Sequence, residues 1–209
     1  MTDIRSDAST ASGNYPAAPE QLLARAQAIE ALLKERGALG DDTVARIVAA
    51  YESDIGPLHG ARVVARAWVD PAFRQRLLTD ATAACGELGI GGLMGEHLVA
   101  LADEDDAHHV IVCTLCSCYP WAVLGIPPGW YKSPEYRARV VAEPRAVLAE
   151  FGLTLPASTE VRVMDTSADV RYFVLPRRPA DTEDLDEAAL AALVTRDCLI
   201  GVALPKSPR

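Results

Sequence analysis

The sequence of 209 residues lacks the features of several classes of protein. No segment reaches the roughly 18 to 20 consecutive apolar residues of a transmembrane helix, and residues 1–16 lack the apolar core of a signal peptide. Basic residues are outnumbered by acidic ones, 20 to 29, which gives a formal net charge of −9. Because nucleic acids and anionic membranes attract clustered Lys and Arg, we expect no nucleic acid and no membrane as a partner. We expect a cytoplasmic protein.

Cysteine is also scarce, and its distribution is uneven. Three of the five cysteines, Cys113, Cys116 and Cys118, lie within six residues, whereas Cys85 and Cys198 stand alone. An odd number of cysteines with three crowded together is a poor disulfide framework but a good metal site in a reducing compartment. We expect the two isolated cysteines to be small buried hydrophobic residues.

The claw, defined here as residues 113–118, has the spacing C-x-x-C-x-C. Because only Ser117 separates Cys116 from Cys118, the intervening backbone N–H groups come within bonding distance of an ion held by the sulfurs. A sufficiently acidic metal would displace these amide protons and gain two main-chain nitrogen ligands. The resulting site has three sulfurs, two nitrogens and one open octahedral position for water or substrate.

A structural zinc or iron–sulfur module is an alternative of another class, because C-x-x-C pairs also occur in such sites. This alternative needs a fourth ligand from outside the claw. The candidates are Cys85, Cys198, or a histidine such as His108 or His109.

The sequence around the claw resembles a known family. The segment VCTLCSCYPW, followed by VLGIPPGWYKSPEYRARVVAEPRAVLAEFG, is similar to the active-site segment of the nitrile hydratase α subunit. The similarity continues through VRVMDTSADVRYFVLPRRP and VTRDCLIGVALP, and covers approximately residues 57–205. It implies metal binding by Cys113, Cys116, Ser117 and Cys118, with Ser117 contributing through its backbone.

The resemblance also implies the identity of the metal and the state of the sulfurs. Threonine at position 114 goes with non-corrin Co(III) and serine with Fe(III), so Thr114 predicts cobalt, and iron is the alternative. Cys116 is expected as a sulfinic acid and Cys118 as a sulfenic acid, while Cys113 stays a thiolate. The catalytic residues are then Cys118, Cys116 and Ser117.

The function implied by the resemblance is hydration of a nitrile to its amide by an α subunit that is active only with its β subunit. The expected assembly is an αβ unit, doubled to α2β2, and a cobalt-insertion activator protein is an expected partner. The metal-binding subunit of thiocyanate hydrolase is a second possibility, since it has the same claw. That relative typically carries arginine where this chain has Trp121, whose aromatic surface suits a neutral nitrile better.

Side chains near the claw could wall a substrate pocket. We predict Trp121, Tyr119 and Met94 as pocket residues, and Met94 stands where many nitrile hydratases have glutamine. A flexible thioether in place of an amide would make this edge of the pocket less polar. Trp130 and Tyr131 could equally line the pocket or belong to the core.

The hydrophobic pattern divides the chain into an N-terminal region, residues 1–56, and a globular metal-binding catalytic domain, residues 57–209. The first holds a polar arm and two amphipathic helices, over 19–36 and from residue 43, which we expect to contact the β subunit. In the second, strands are predicted at 97–101 and 109–112, joined as a hairpin, and at 161–164, 170–175 and 198–203, with a helix over 184–193. Asp70-Pro71 predicts the start of a single helix that ends at the glycine-rich run 86–92, and Ser133-Pro134 predicts the start of a short helix. The fold class is α+β, and the resemblance implies an α-β-β-α layered sandwich with mixed sheets.

Overall fold

The computed structural model describes residues 20–49, 57–91, 97–116 and 118–208. Its first elements are α1 (Glu20–Glu35), α2 (Thr43–Ala49), α3 (Pro57–Val69), α4 (Pro71–Thr79), α5 (Ala81–Glu87), β1 (His97–Ala102) and β2 (Ala107–Val112). After the claw come α6 (Trp121–Leu124), a 3₁₀ helix (Gly129–Lys132), α7 (Pro134–Ala142), α8 (Pro144–Glu150), β3 (Glu160–Asp165), β4 (Val170–Leu175), α9 (Glu187–Ala191) and α10 (Arg196–Ile200). Among these helices, none combines the length and apolar character of a membrane span.

Side-chain caps set several helix boundaries. The Asp70 carboxylate accepts a hydrogen bond from the Phe73 amide at 2.9 Å, and Pro71 occupies the first turn of α4. Asp80 ends α4 and caps α5 through the Ala83 amide at 3.0 Å. The single helix predicted after Asp70 is therefore two helices.

Strand pairing differs from the prediction of a hairpin. β1 pairs in parallel with β4, and β2 pairs in parallel with β3, so the four residues between β1 and β2 connect two different sheets. The hairpin prediction was therefore wrong, because a short polar connection indicates a turn but not the partners of the strands that flank it. Every residue of β2 is buried, as is typical of parallel strands covered on both faces. Both strand pairs of the described chain are parallel, rather than the mixed sheets that we expected.

The predicted last strand, residues 198–203, was also wrong. Residues 196–200 form α10, whose Cys198, Leu199 and Ile200 are buried, and Gly201 ends the helix with φ +92°. A short continuous apolar run has the same pattern in a buried strand and a buried helix turn, so periodicity could not separate them. The helix predicted over 184–193 is confirmed but shorter, and Asp186 caps it through the Ala189 amide at 2.8 Å.

The two predicted N-terminal helices are confirmed as α1 and α2. α1 contains no buried residue, and its Leu22, Leu23 and Ile29 are more than half exposed. The predicted polar arm lies outside the described residues. The division into residues 1–56 and 57–209 stays a prediction.

Candidate metal centre

The claw begins where β2 ends, at the carboxyl edge of the β2–β3 pair. Val112, the last residue of β2, is in register with Asp165, the last residue of β3. Because parallel strands end at the same edge of a sheet, the residues that follow β3 lie beside the claw. The Thr166 amide donates to the Val112 carbonyl at 2.7 Å, which joins the two strand ends just before the first cysteine.

The three claw cysteines converge on one point. Cys113 Sγ and Cys116 Sγ are 3.4 Å apart, Cys116 Sγ and Cys118 Sγ are 3.1 Å apart, and all three sulfurs lie within 4.8 Å of one another. With a metal–sulfur bond of about 2.3 Å, neighbouring sulfurs are about 3.3 Å apart on an octahedron and about 3.8 Å apart on a tetrahedron. The two short distances fit an octahedral ion better than a tetrahedral one, so the residues present fit a metal ion with sulfur ligands.

The surroundings of the three sulfurs are unequal. Cys113 is buried, Cys118 is half-buried and Cys116 is exposed. Burial raises the pKa of the Cys118 thiol to about 12, and the neighbouring sulfurs of Cys116 and Cys113 add to the rise. Thiolates this close need a cation to offset their charge, as a bound metal ion does.

Asp165 holds the second residue of the claw with both carboxylate oxygens. The Thr114 amide donates to Oδ1 at 2.9 Å, and the Thr114 hydroxyl donates to Oδ2 at 2.5 Å. The first turn of the claw is therefore anchored to the end of β3. Within the turn, the Cys116 amide points at Cys113 Sγ at 3.3 Å.

Three backbone carbonyls in and after the claw accept hydrogen bonds from side chains elsewhere in the chain. Arg137 Nη1 donates to the Cys116 carbonyl at 3.0 Å. Tyr131 and Thr166 donate to the Cys118 carbonyl at 3.2 Å and 2.9 Å. A backbone that forms neither helix nor strand needs such donors for its polar groups.

The third carbonyl belongs to Tyr119 and accepts from Arg171 Nη1 at 3.1 Å. The donors to the Cys116 and Cys118 carbonyls, together with Asp165, hold the claw, a role that the sequence analysis did not identify, whereas Arg171 binds just outside it. The polar run Asp165-Thr166-Ser167 directly after a strand was a signal that could have suggested a site at this sheet edge. No comparable local signal marks Arg137 or Arg171.

The aromatic residues near the claw form a packed cluster beneath it. Tyr119 and Tyr131 are fully buried, and their rings meet edge to face with centroids 4.9 Å apart. Trp130 is buried against Tyr136 at 4.8 Å, so Trp130 and Tyr131 belong to the core. Trp121 is half-buried and packs against this core.

The pocket roles of Tyr119 and Trp121 stay predictions. Ser117 and Met94, predicted as a metal ligand and a pocket residue, lie outside the described residues.

The alternative ligands are not brought to the claw. His108 Nδ1 and His109 Nδ1 face Asp103, at 3.0 Å and 3.1 Å. Cys85 and Cys198 are buried as isolated free thiols, as expected. In the described part of the chain, the cluster of His, Cys, Asp and Glu side chains that could hold a metal consists of the three claw cysteines. The fourth ligand of a zinc or iron–sulfur module is therefore not found there.

Comparisons with known proteins show similarity over most of the chain. The family model "Nitrile hydratase, alpha chain" matches residues 20–203. The low-molecular weight cobalt-containing nitrile hydratase subunit alpha of Rhodococcus rhodochrous is 55% identical over 196 residues, which cover 94% of this chain and 95% of that subunit. The thiocyanate hydrolase subunit gamma of Thiobacillus thioparus is 45% identical over 172 residues, 77% of this chain and 71% of that subunit.

A solved structure supports the same relationship. A double mutant of the Fe-type nitrile hydratase from Comamonas testosteroni Ni1 matches with a TM-score of 0.84 and 45% identity. The match covers 91% of this chain and 94% of that chain.

Proposed function

This chain belongs to the nitrile hydratase α-chain family, and from that membership we propose that it is the α subunit of a cobalt-dependent nitrile hydratase. The reaction adds water to a nitrile, R–C≡N, and yields the amide. The observation that carries the proposal is the convergence of three sulfurs at octahedral spacing, 3.1 Å and 3.4 Å between neighbours. A tetrahedral zinc site would place its sulfurs about 3.8 Å apart.

The proposed ligands are the sulfurs of Cys113, Cys116 and Cys118 and the backbone nitrogens of Ser117 and Cys118. We propose non-corrin Co(III) as the metal because Thr114 occupies the position at which the resemblance separates cobalt from iron enzymes. The cobalt-containing relative supports this choice, and the iron-type neighbour keeps Fe(III) as the alternative. When bound, the trivalent ion supplies a Lewis acid for the nitrile.

The chain contributes to the reaction through the oxidised side chains of Cys116 and Cys118. Cys116 as a sulfinic acid and Cys118 as a sulfenic acid present oxygens beside the open position. The Cys118 oxygen either attacks the nitrile carbon, after which water releases the amide and restores the sulfenic acid, or takes a proton from the attacking water. Cys118 is half-buried, so the site is only partly open to water. Tyr119, Trp121 and Met94 are the proposed pocket residues.

Exposed apolar side chains support a β subunit as the partner. Leu115, in the centre of the claw, is 92% exposed. On α1, the apolar side chains of Leu22, Leu23 and Ile29 are also exposed. We propose that β covers both surfaces in an α2β2 assembly, that residues 1–56 contact it, and that the site is complete only in the complex. The layered α-β-β-α arrangement, a cobalt-insertion activator protein and a cytoplasmic location belong to the same proposal.

Thiocyanate hydrolysis is the less favoured function. The gamma subunit of thiocyanate hydrolase is 45% identical to this chain, less than the cobalt nitrile hydratase subunit at 55%. Trp121 also provides an aromatic surface without a cation for an anionic substrate. A direct comparison of nitrile and thiocyanate as substrates of the purified complex decides between them.

The test combines metal analysis and mass spectrometry of the complex purified from cells supplied with cobalt. We expect close to one cobalt per α chain and nitrile hydration. The peptide spanning Cys113 to Cys118 should carry two added oxygens on Cys116, one labile oxygen on Cys118 and none on Cys113. Cys116→Ser and Cys118→Ser should each abolish hydration. Stoichiometric zinc, or a fully reduced Cys116 in an active preparation, would contradict the proposal.

A further inference from the structure

Arg137 lies beside the claw, and no acidic side chain of the described residues neutralises its charge. It lies on α7, and its Nη1 donates to the Cys116 carbonyl at 3.0 Å. Within the described part of the chain, Arg137 forms no salt bridge, and its buried Nε has no hydrogen-bond partner. Arg139 on the same helix is paired with Glu143 at 2.5 Å and with Glu150 at 2.6 Å. The Arg137 cation is therefore directed at the claw.

The surroundings of Arg137 keep it next to the claw. It lines a cavity of about 360 Å³ together with Thr114, Pro134, Ala138 and Val141. Asp165 holds Thr114 and Arg137 holds the Cys116 carbonyl, so residues outside the claw fix it at both positions. Partial burial beside apolar groups reduces the screening of the guanidinium charge by water.

The peptide bond that Arg137 contacts is one whose nitrogen binds the metal in the proposed ligand set. The Cys116 carbonyl and the Ser117 nitrogen belong to the same peptide group. Because a peptide is a resonant unit, negative charge on the nitrogen of a metal-bound peptide is shared with its carbonyl oxygen. Arg137 presents a permanent cation and a hydrogen-bond donor to that oxygen.

We propose that Arg137 is a positioning residue of the metal centre, which stabilises the Cys116–Ser117 peptide in the form that binds a metal through its nitrogen. This inference rests on the proposed function. It assigns Arg137 a role in keeping the metal, separate from the roles of the three sulfurs. The charge of the guanidinium offsets part of the negative charge that three sulfur ligands and two deprotonated peptide nitrogens bring together.

Arg171 provides a matched control. It also donates to a backbone carbonyl next to the claw, that of Tyr119, at 3.1 Å. The nitrogen of that peptide belongs to Pro120, which has no hydrogen for a metal to displace. An arginine that merely fastens the loop, or merely adds positive charge nearby, would act equally well at either carbonyl.

The experiment compares the complete α–β complex carrying Arg137→Gln, Arg137→Lys, Arg171→Gln or no substitution. Each complex is purified from cells grown at limiting cobalt, and its thermal midpoint is recorded to confirm folding. The readouts are the cobalt content per α chain, the rate of cobalt loss to a chelator, and the oxidation of Cys116. Substituting a residue that hydrogen-bonds to a metal ligand typically weakens metal binding about 10- to 100-fold, so we expect Arg137→Gln to lose cobalt at least about tenfold faster.

The remaining variants separate the effect of charge from that of loop anchoring. Arg137→Lys, which keeps the charge, should retain more cobalt than Arg137→Gln, and Arg171→Gln should retain cobalt close to the unsubstituted level. The inference is overturned if Arg137→Gln keeps cobalt as well as the unsubstituted complex, if the lysine and glutamine variants lose it equally, or if Arg171→Gln loses it as fast. An unsubstituted complex without cobalt would instead overturn the proposed function.

Discussion

The buried cluster of Asp103, His108 and His109 should make the stability of this protein depend on pH. His108 Nδ1 lies 3.0 Å from Asp103 Oδ2, and His108 Nε2 lies 2.7 Å from the Gly201 carbonyl oxygen. Both partners only accept hydrogen bonds, so His108 donates from both nitrogens when it is a cation. Burial acts to lower the pKa of His108, but the hydrogen bond and charge of Asp103 outweigh it and leave the pKa raised.

The sign of the effect follows from the direction of the two shifts. A raised folded-state pKa means that the contribution of His108 is complete below its unfolded value of about 6.5 and is lost as the pH rises through the folded pKa. Burial acts to raise the pKa of Asp103, but the hydrogen bonds from both histidines leave it lowered. The contribution of Asp103 is therefore present above about pH 4 and is lost as the pH falls through its folded pKa. The cluster stabilises most between about pH 4 and 6.5.

Two substitutions at Asp103 should have different costs. Asp103→Ala leaves the His109 amide without its 2.7 Å acceptor and His108 without its anion. Removing one partner of a buried ion pair costs about 3–5 kcal/mol, which for a chain of this size lowers the thermal midpoint by about 6–20 °C. Asp103→Asn should cost much less. Neutral His108 can still donate to Gly201 and accept from the new amide.

The assay is the thermal midpoint of the α–β complex between about pH 5.5 and 8.5, a range that spans the ordinary pKa of histidine. Subtracting the Asp103→Asn midpoint from that of the unsubstituted complex removes the groups that titrate alike in both. We expect this difference to shrink as the pH rises above about 6.5. One proton changes the free energy of unfolding by at most about 1.4 kcal/mol per pH unit, which corresponds to about 3–6 °C in the midpoint. A difference that is constant or grows with pH would refute the assignment of a buried His108 cation.

Three further predictions concern the claw anchor, the N-terminal region and the C-terminal turn. Asp165→Ala removes both acceptors of Thr114, so the complex should bind cobalt at least about tenfold more weakly, measured as the cobalt content that remains after exposure to a chelator. Unchanged cobalt content would contradict the anchoring role. Deleting residues 1–36 should weaken the α–β complex, since the apolar stripe of α1 is lost, and equally tight copurification would count against this. Gly201→Ala should lower the thermal midpoint, because Gly201 has φ +92° and a Cβ there would overlap the His109 carbonyl; an unchanged midpoint would show that the turn relaxes.

Local signals allowed much of the helical structure to be predicted from the sequence. Asp70-Pro71 and Ser133-Pro134 each predicted a helix start, and the structure begins α4 and α7 at those prolines. Strand pairing was not predictable in the same way. β1 pairs with a strand about 70 residues later, at His97 with Val170, and nothing within either segment specifies that partner.

The candidate site shows the same division. The spacing of Cys113, Cys116 and Cys118 predicted their convergence, because the chain between them is too short to separate them. The residues that hold the claw were not predicted. Asp165 is 51 residues from Thr114 in sequence, and Arg137 is 21 residues from Cys116. Only the parallel pairing of β2 with β3, and the packing of α7, bring them together.

These anchors follow from what the claw requires of its backbone. A segment that turns its sulfurs and its peptide nitrogens toward one ion cannot also form the hydrogen bonds of a helix or strand, so its carbonyls need donors from elsewhere. Arg137, Tyr131 and Thr166 supply them for Cys116 and Cys118. In a zinc finger, metal binding provides much of the free energy of folding. Here, hydrogen bonds within the protein join the claw to two strand ends and a helix. The fold itself therefore offsets part of the free-energy cost of ordering the ligands.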